Sequence, residues 1–203
     1  MDCPSALLPV GLRAIHHTVY RTVAMNALIS LEDLGPRICI MGPSNSGKST
    51  LATAISHHTA LPAIHLDQLY HLPNTHWQPR EKAEFLHLHH QAIHRDCWVM
   101  DGNYTACLNE RLARATGYIL LDVPMPASLL RYVRRCYASA NRPGALEGSV
   151  DKVNWAMIKH IALITPGNRR RYKTRYPHID LPKCFLQGTK AIDEAYRRWN
   201  LAV

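Results

Sequence analysis

One stretch of this 203-residue sequence has a spacing that predicts chemistry directly: residues 42–49 read Gly-Pro-Ser-Asn-Ser-Gly-Lys-Ser. In a Gly-x-x-x-x-Gly-Lys-Ser loop, the backbone N–H groups turn inward around a phosphate group, and the glycines permit the close approach and the positive φ angles. We expect Lys48 to reach the terminal phosphates of a nucleotide and the Ser49 hydroxyl to bind Mg²⁺. The predicted nucleotide-binding residues, named here the phosphate loop, are Gly42, Pro43, Ser44, Asn45, Ser46, Gly47, Lys48, Ser49 and Thr50.

Three aspartates follow apolar, strand-like runs: Asp67, Asp101 and Asp122. In open α/β sheets ligands bind at the carboxyl ends of the strands, so carboxylates at these positions are well placed for chemistry. We expect Asp101 to hold a Mg²⁺-bound water. We expect Asp67 to orient the nucleophile of an acceptor or to accept its proton. A strand-terminating turn or a helix cap is the alternative for each, and we favour it for Asp122.

Arginines that could close over a transferring phosphoryl group lie in the second half of the chain. Arg131 and Arg135 are four residues apart on one face of a predicted helix, and Arg142 follows in an Asn-Arg-Pro-Gly turn. These three are the predicted catalytic arginines, with Lys48 and Asp67. A second cluster, at residues 169–171, comes later. Solvated charges on a helix surface are the alternative for all of these arginines.

Further side chains with possible roles surround the segment after Asp67. Arg80 is a candidate for holding an anionic acceptor, and Trp77 could stack on a base or pack as a loop anchor. Four histidines follow on a predicted helix, but their spacing lacks the His-Glu-x-x-His pattern of a metal site. These histidines are His87, His89, His90 and His94.

Apolar runs and helical stretches alternate along the chain, which is typical of a parallel sheet covered by helices. Two prolines in the segment between Asp67 and Arg80 predict a loop. The predicted strands cover residues 37–41, 61–66, 97–100, 117–123 and 183–187. The predicted helices cover residues 48–57, 81–95, 127–138, about 150–163 and 190–199.

The composition is that of an ordinary globular protein with an excess of positive charge. Hydrophobic residues make up 47% and charged residues 19%, and 24 Lys and Arg against 15 Asp and Glu give a net charge of +9. Such a surface favours anionic partners: nucleotides, phosphorylated metabolites or nucleic acid. Six cysteines without a Cys-x-x-Cys pair indicate reduced thiols and a cytoplasmic location, and no apolar run approaches the ~18 residues of a membrane span. We expect residues 1–36 to form a partly disordered extension and residues 37–203 to form the folded domain.

Several motifs, in this order, resemble the adenylate-kinase-like P-loop proteins, and among these the group labelled "DNA topology modulation protein". The motifs are ICIMGPSNSGKSTLA, AIHLDQLY, LPNTHW, WVMDGNY and ILLDVP, and the similarity covers about residues 37–200. The resemblance implies a three-layer α/β fold with a five-stranded parallel sheet, in which the strand ending at Asp101 lies beside the phosphate-loop strand. It also implies ATP and Mg²⁺ as cofactors, a lid over about residues 131–148, and contact of residues 188–190 with adenine.

The sequence departs from adenylate kinases after the third strand. Where those enzymes carry a DGFPR-like motif, residues 101–105 read Asp-Gly-Asn-Tyr-Thr. The missing arginine argues against AMP as the acceptor. Asn103 and Tyr104 are polar groups that could bind a different acceptor, and the segment after Asp67 resembles the acceptor region of shikimate- and gluconate-type kinases.

Three functional hypotheses follow. The first is an ATP- and Mg²⁺-dependent phosphotransferase that acts on a small acceptor, such as a nucleoside monophosphate or a hydroxylated metabolite. The second is a regulatory or DNA-associated ATPase with slow hydrolysis, and the third is a binding protein that uses the loop only as an anion site. No helix-turn-helix or aromatic-basic pattern is present, and Lys48 and Ser49 are both present. We therefore favour the first.

Overall fold

Five parallel strands form the centre of the computed structural model, which describes residues 28–75, 77–137, 144 and 155–202. The strands are β1 (Arg37–Met41), β2 (Ala63–His65), β3 (Trp98–Asp101), β4 (Gly117–Asp122) and β5 (Lys183–Gln187). Their order in the sheet is β2-β3-β1-β4-β5. Strand β3 pairs with β1 in a register that places Asp101 opposite Ile40. The predicted five-stranded parallel sheet is therefore confirmed, with the strand ending at Asp101 beside the phosphate-loop strand.

Helices cover both faces of the sheet, because the central strands are buried on both sides and have no polar face to present to water. The helices are α1 (Leu31–Leu34), α2 (Lys48–Thr59), α3 (Leu66–Tyr70), α4 (Lys82–Ile93), α5 (Leu108–Arg114), α6 (Met125–Tyr137), α7 (Trp155–Lys159), α8 (Thr165–Arg175) and α9 (Gly188–Arg198). One apolar layer centres on Leu51 and Ile55 of α2. The other centres on Ile93, Trp98 and Tyr118. No helix among the described residues has both the length and the apolar content that crossing a bilayer requires.

The segment around Asp67 differs from its prediction. Strand β2 ends at His65 rather than at residue 66, and Leu66 begins the short helix α3, so Asp67 lies in a first helical turn rather than in a loop. Leu66 is fully buried, and its side chain occupies the space where a Cβ on Gly102 would stand. Leu66 thus packs against Gly102 at the point where α3 begins, directly after the strand.

The helix predicted over about residues 150–163 extends much further in the structure. The chain is helical from Trp155 to Arg175, with a π-helical turn at His160–Ile164 between α7 and α8. Pro166, which has no backbone N–H to donate, follows this π-helical turn, where the regular hydrogen-bond ladder of the helix is interrupted. Residues 169–171 therefore belong to a helix. The first residues of the predicted segment, 150–154, lie outside the described residues.

Residues 28–36 are part of the packed domain, although the sequence assigned them to the extension. Ser30 caps α1 by accepting a hydrogen bond from the Asp33 backbone N–H at 3.1 Å. Leu34 is fully buried, and the indole N–H of Trp199 donates to the Ile29 carbonyl at 2.9 Å. These contacts join residues 28–36 to the sheet and its helices, and the division of the chain at residue 36 stays a prediction. Residues 1–27 lie outside the described residues.

Two basic side chains, His89 of α4 and Arg111 of α5, are fully buried close to each other. A guanidinium N–H of Arg111 donates to the Gly102 carbonyl at 3.1 Å. Within the described chain, neither ring nitrogen of His89 has a hydrogen-bond partner. Burial lowers the pKa of His89, and the positive charge of Arg111 lowers it further, to about 4. His89 is therefore neutral in the folded protein at neutral pH.

We expect this histidine to make folding stability pH-dependent. The unfolded chain binds a proton at the ordinary histidine pKa of about 6.5, so stability is intact above that pH and falls as the pH drops from about 6.5 to about 4. The difference between the two pKa values corresponds to about 3 kcal/mol of unfolding free energy. Urea unfolding at several pH values will measure it. His89→Leu should flatten the slope, whereas His58→Leu on an exposed position should not, and an unchanged slope in His89→Leu would contradict this assignment.

Candidate functional site

The phosphate loop connects β1 to α2 in the strand-loop-helix context that its motif requires. Gly42 and Gly47 have φ angles of 154° and 95°, which favour glycine. A Cβ on Gly42 would also lie 2.6 Å from the Leu121 carbonyl oxygen. The Lys48 ammonium donates to the Pro43 carbonyl at 3.0 Å, which keeps this charge within the loop. The loop therefore has the backbone conformation that the motif predicts, at the N-terminus of a twelve-residue helix.

The two residues predicted to serve the metal meet at the start of α2. The Ser49 hydroxyl donates to the Asp101 carboxylate at 2.7 Å. Asp101 is only 4% exposed, and its other carboxylate oxygen lies 2.5 Å from Nδ1 of His65. A hydroxyl and a carboxylate are the oxygen donors that Mg²⁺ prefers, so the residues present fit this ion. The sequence does not point to His65, because no sequence pattern shows the pairing of β2 with β3 that brings this residue to Asp101.

A second polar pair lies further along the same sheet edge. The Tyr104 hydroxyl donates to the Asp67 carboxylate at 2.7 Å. Burial raises the pKa of Tyr104, and the negative charge of Asp67 raises it further, so the hydroxyl stays protonated and remains the donor. The Tyr104 ring packs against Tyr70 and Phe85, at centroid distances of 4.8 and 5.1 Å. The structure thus brings together two of the predicted acceptor-binding residues.

Asn103, which is predicted to bind the acceptor, lines the cleft and is hydrogen-bonded to the phosphate loop. Its side-chain N–H donates to the Gly42 carbonyl at 2.7 Å, and its side-chain oxygen accepts from the Gly42 N–H at 3.3 Å. Both ends of the amide are therefore directed at the phosphate loop. Asn103 ties the segment after β3 to the first residue of that loop.

Arg80, the fourth residue predicted for the acceptor, lies at the end of the segment that follows α3. Its guanidinium donates to Glu84 at 2.7 Å, so part of its charge is compensated. The side chain is 17% exposed and still lines the cleft. Trp77 lines the same cleft.

Of the three predicted catalytic arginines, the structure describes the side chain of Arg131. Its guanidinium donates to the Ser46 carbonyl at 2.7 Å, which puts its charge beside the phosphate loop. The side chain of Arg135, and all of Arg142, lie outside the described residues. From the predicted lid at residues 131–148, the described part comprises the end of α6 and Gly144. Gly144 packs against Ser49, because a Cβ there would lie 2.8 Å from the Ser49 hydroxyl oxygen.

Asp122, interpreted from the sequence as a turn or cap residue, instead anchors helix α8. Its carboxylate is 1% exposed and accepts from the guanidinium of Arg169 and, at 2.7 Å, from the ammonium of Lys173. Burial opposes ionisation, but the hydrogen bonds from these two cations outweigh it and lower the pKa of Asp122. Arg169 and Lys173 lie one turn apart on α8. Their neighbours Arg170 and Arg171 line the cleft.

Most of the predicted site residues that the structure describes border one cleft with a volume of about 2680 Å³. The phosphate loop lines one part, and Asp67 with Tyr104 lines another. Helix α9 borders the cleft through Ile192 and Tyr196, and burial raises the pKa of Tyr196 to about 12. Residues 188–190, which the resemblance placed against adenine, form the first turn of α9 rather than a loop. They are absent from the described cleft lining.

Comparison with known proteins identifies the fold. A solved shikimate kinase from Acinetobacter baumannii, in complex with shikimate, is 13% identical, with a TM-score of 0.52 over 80% of this chain and 90% of that one. A shikimate kinase from Bacteroides thetaiotaomicron is 15% identical, with a TM-score of 0.50 over 82% and 99% of the two chains. Neither a family model nor a curated protein matches the sequence. The chain thus has the P-loop kinase fold, and its resemblance to the "DNA topology modulation protein" group stays a prediction.

Proposed function

We propose that this protein is a kinase that transfers the γ-phosphoryl group of ATP, with Mg²⁺, to a hydroxyl group of a small acceptor. The proposal rests on one observation: two different polar pairs line the same cleft. Ser49 and Asp101 lie beside the phosphate loop, and Asp67 and Tyr104 lie at another part of the same cleft. A phosphoryl donor and an acceptor could bind there side by side, which is the requirement for direct transfer.

At the nucleotide part of the cleft, this chain would act through positioning and charge. The backbone N–H groups of the phosphate loop would bind the phosphates, and Lys48 and Arg131 would place positive charge next to them. Ser49 and Asp101 would hold Mg²⁺, which neutralises phosphate charge when it is bound. A cleft with these donors already in place pays little reorganisation energy at the moment of transfer.

At the acceptor part, the proposed task of Asp67 is to accept a proton from the attacking hydroxyl. In the described chain, Tyr104 is the side-chain partner of one Asp67 oxygen, so the second oxygen can accept a hydrogen bond from an acceptor. A hydroxyl gains from such a base, whereas the phosphate of a nucleoside monophosphate is already anionic and does not need one. This difference favours a hydroxylated metabolite over a nucleoside monophosphate. Arg80, Arg170 and Arg171 line the cleft and favour an acceptor that carries a negative charge.

The test is acceptor-dependent turnover of ATP. The purified protein would be incubated with ATP, Mg²⁺ and two sets of acceptors: hydroxylated carboxylates, such as shikimate and sugar acids, and nucleoside monophosphates. ADP release would be measured, and the phosphorylated product identified by mass spectrometry. We expect one or more hydroxylated anions to accelerate ADP release and to gain a phosphate, and EDTA to stop the reaction. Slow hydrolysis that no acceptor stimulates, together with salt-sensitive DNA binding, would contradict the kinase and favour the DNA-associated ATPase.

A further inference from the structure

His65 is a polar side chain at the sheet edge that the proposed transfer does not yet use. It is the last residue of β2, and in the parallel pairing of β2 with β3 it stands directly opposite Asp101. Paired residues on neighbouring parallel strands direct their side chains to the same face of the sheet. The register of the two strands, rather than a loop conformation, therefore brings the imidazole to the carboxylate.

The contact between the two side chains is short and shielded from water. Nδ1 of His65 lies 2.5 Å from Oδ1 of Asp101, and the exposed fractions of the two side chains are 10% and 5%. A carboxylate oxygen accepts, so Nδ1 is the nitrogen that carries the proton. The Ser49 hydroxyl occupies Oδ2 at 2.7 Å. Within the described residues, each oxygen of the carboxylate thus has one donor, and the two donors together fix the plane of the group.

We propose that His65 is a positioning residue for the nucleotide-bound metal: its Nδ1–H holds the Asp101 carboxylate in the orientation in which that group, with Ser49, serves Mg²⁺. The inference rests on the proposed function, because it takes the metal to be the one that accompanies ATP. Strand β2 would then take part in metal binding, a role that its sequence, Ala-Ile-His, does not predict.

The enclosure of the site explains why the contact should matter. Without His65, Oδ1 of Asp101 would be a buried acceptor with no donor, and the carboxylate could turn away from Ser49 to find one. Gly144 lies over the same place, since a Cβ on it would be 2.8 Å from the Ser49 hydroxyl oxygen and 3.3 Å from Nδ1 of His65. The imidazole is therefore held between Asp101 and Gly144. Loss of an outer partner that orients a metal ligand typically weakens metal binding by about 10–100-fold.

The test measures metal affinity rather than turnover. Mn²⁺ would be titrated into the protein with a non-hydrolysable ATP analogue, and free Mn²⁺ followed by electron paramagnetic resonance. We expect His65→Leu to weaken Mn²⁺ binding by about 10–100-fold. His65→Asn, whose side-chain N–H can replace Nδ1–H, should stay close to the wild type. Binding of the analogue in EDTA should not change in either variant, because the phosphate loop is untouched.

A matched control comes from another histidine-carboxylate pair. Nδ1 of His90 lies 2.7 Å from a Glu110 oxygen, but both side chains are exposed, and Glu110 does not line the cleft as Asp101 does. His90→Leu removes this pair, and we expect it to leave Mn²⁺ affinity unchanged. The comparison separates the effect of the buried contact from that of losing any paired histidine.

The possible outcomes test the positioning role of His65 separately from the proposed function. If the wild type binds Mn²⁺ with the analogue and His65→Leu binds it equally well, the positioning role is overturned while the proposed function stands. If the wild type binds no metal with the analogue, both fall. Should circular dichroism show that His65→Leu is unfolded, His65→Asn decides, and a folded asparagine variant that loses metal affinity would overturn the role of the Nδ1 donor.

Discussion

Replacing Lys48 with alanine is expected to lower kcat for phosphoryl transfer by roughly 10²–10³-fold, the loss typical of removing one preorganised donor from a transition state. Lys48 is the first residue of α2, and its ammonium is held inside the phosphate loop by the Pro43 carbonyl at 3.0 Å. Charge is spread over the phosphoryl oxygens during transfer, and a positioned cation stabilises it without reorganisation, whereas alanine provides no charge there. ADP release measured against ATP and acceptor concentration gives kcat and both KM values.

The control for this variant is Arg95→Ala, which removes an exposed positive charge outside the cleft lining. It should leave kcat unchanged and so show that general loss of charge is not the cause. Alanine suits a helix position, so Lys48→Ala should also keep its fold. A folded Lys48→Ala variant with the kcat of the wild type would rule out the role given to this lysine.

Replacing Asp67 with asparagine is expected to lower kcat by about 10²–10⁴-fold, the range that a positioned general base contributes. Asparagine has nearly the same shape, and its side-chain oxygen can still accept the hydrogen bond from Tyr104 that Asp67 accepts at 2.7 Å. It cannot take a proton from the acceptor hydroxyl. The KM for ATP should change little, because among the described residues the Asp67 carboxylate bonds to Tyr104 rather than to the phosphate loop. Steady-state rates at saturating acceptor measure the effect.

Tyr104→Phe provides the matched variant, since it removes the hydrogen bond to Asp67 and leaves the carboxylate in place. We expect a smaller loss of kcat than for Asp67→Asn, because the base is then less well oriented but still present. Equal losses in the two variants would show that orientation accounts for the whole effect. Full kcat in Asp67→Asn would instead show that the acceptor needs no base here, as a phosphate acceptor would not.

The parts of the fold that the sequence predicts are those determined by local patterns. Buried parallel strands appear as short apolar runs, and the limits of β1 and β5 coincide with their predicted ranges because turn-forming or polar residues flank them. The phosphate loop has a fixed spacing, so its nine residues are identified without knowledge of the rest. The meeting of Ser49 with Asp101 agrees with the family resemblance, which implies that the strand ending at Asp101 lies beside the phosphate-loop strand.

The parts that the sequence leaves open depend on which distant segments come together. Arg169 lies 47 positions from Asp122, and no local signal relates a strand end to a helix so far along the chain. His65 pairs with Asp101 through the register of two strands. The hydrogen bonds of the Asn103 amide to Gly42 depend on the approach of a loop 61 positions away, which no local pattern indicates. In each case tertiary packing selects one of several roles that the residue type allows.

The double hydrogen bond between Asn103 and Gly42 has a consequence for how the two substrates would influence each other. Asn103 holds the first residue of the phosphate loop, and its neighbour Tyr104 holds Asp67, so the two halves of the cleft share one stretch of main chain. Thermodynamic linkage makes any influence along this stretch reciprocal. If bound nucleotide changes the affinity for the acceptor by some factor, bound acceptor must change the affinity for nucleotide by the same factor.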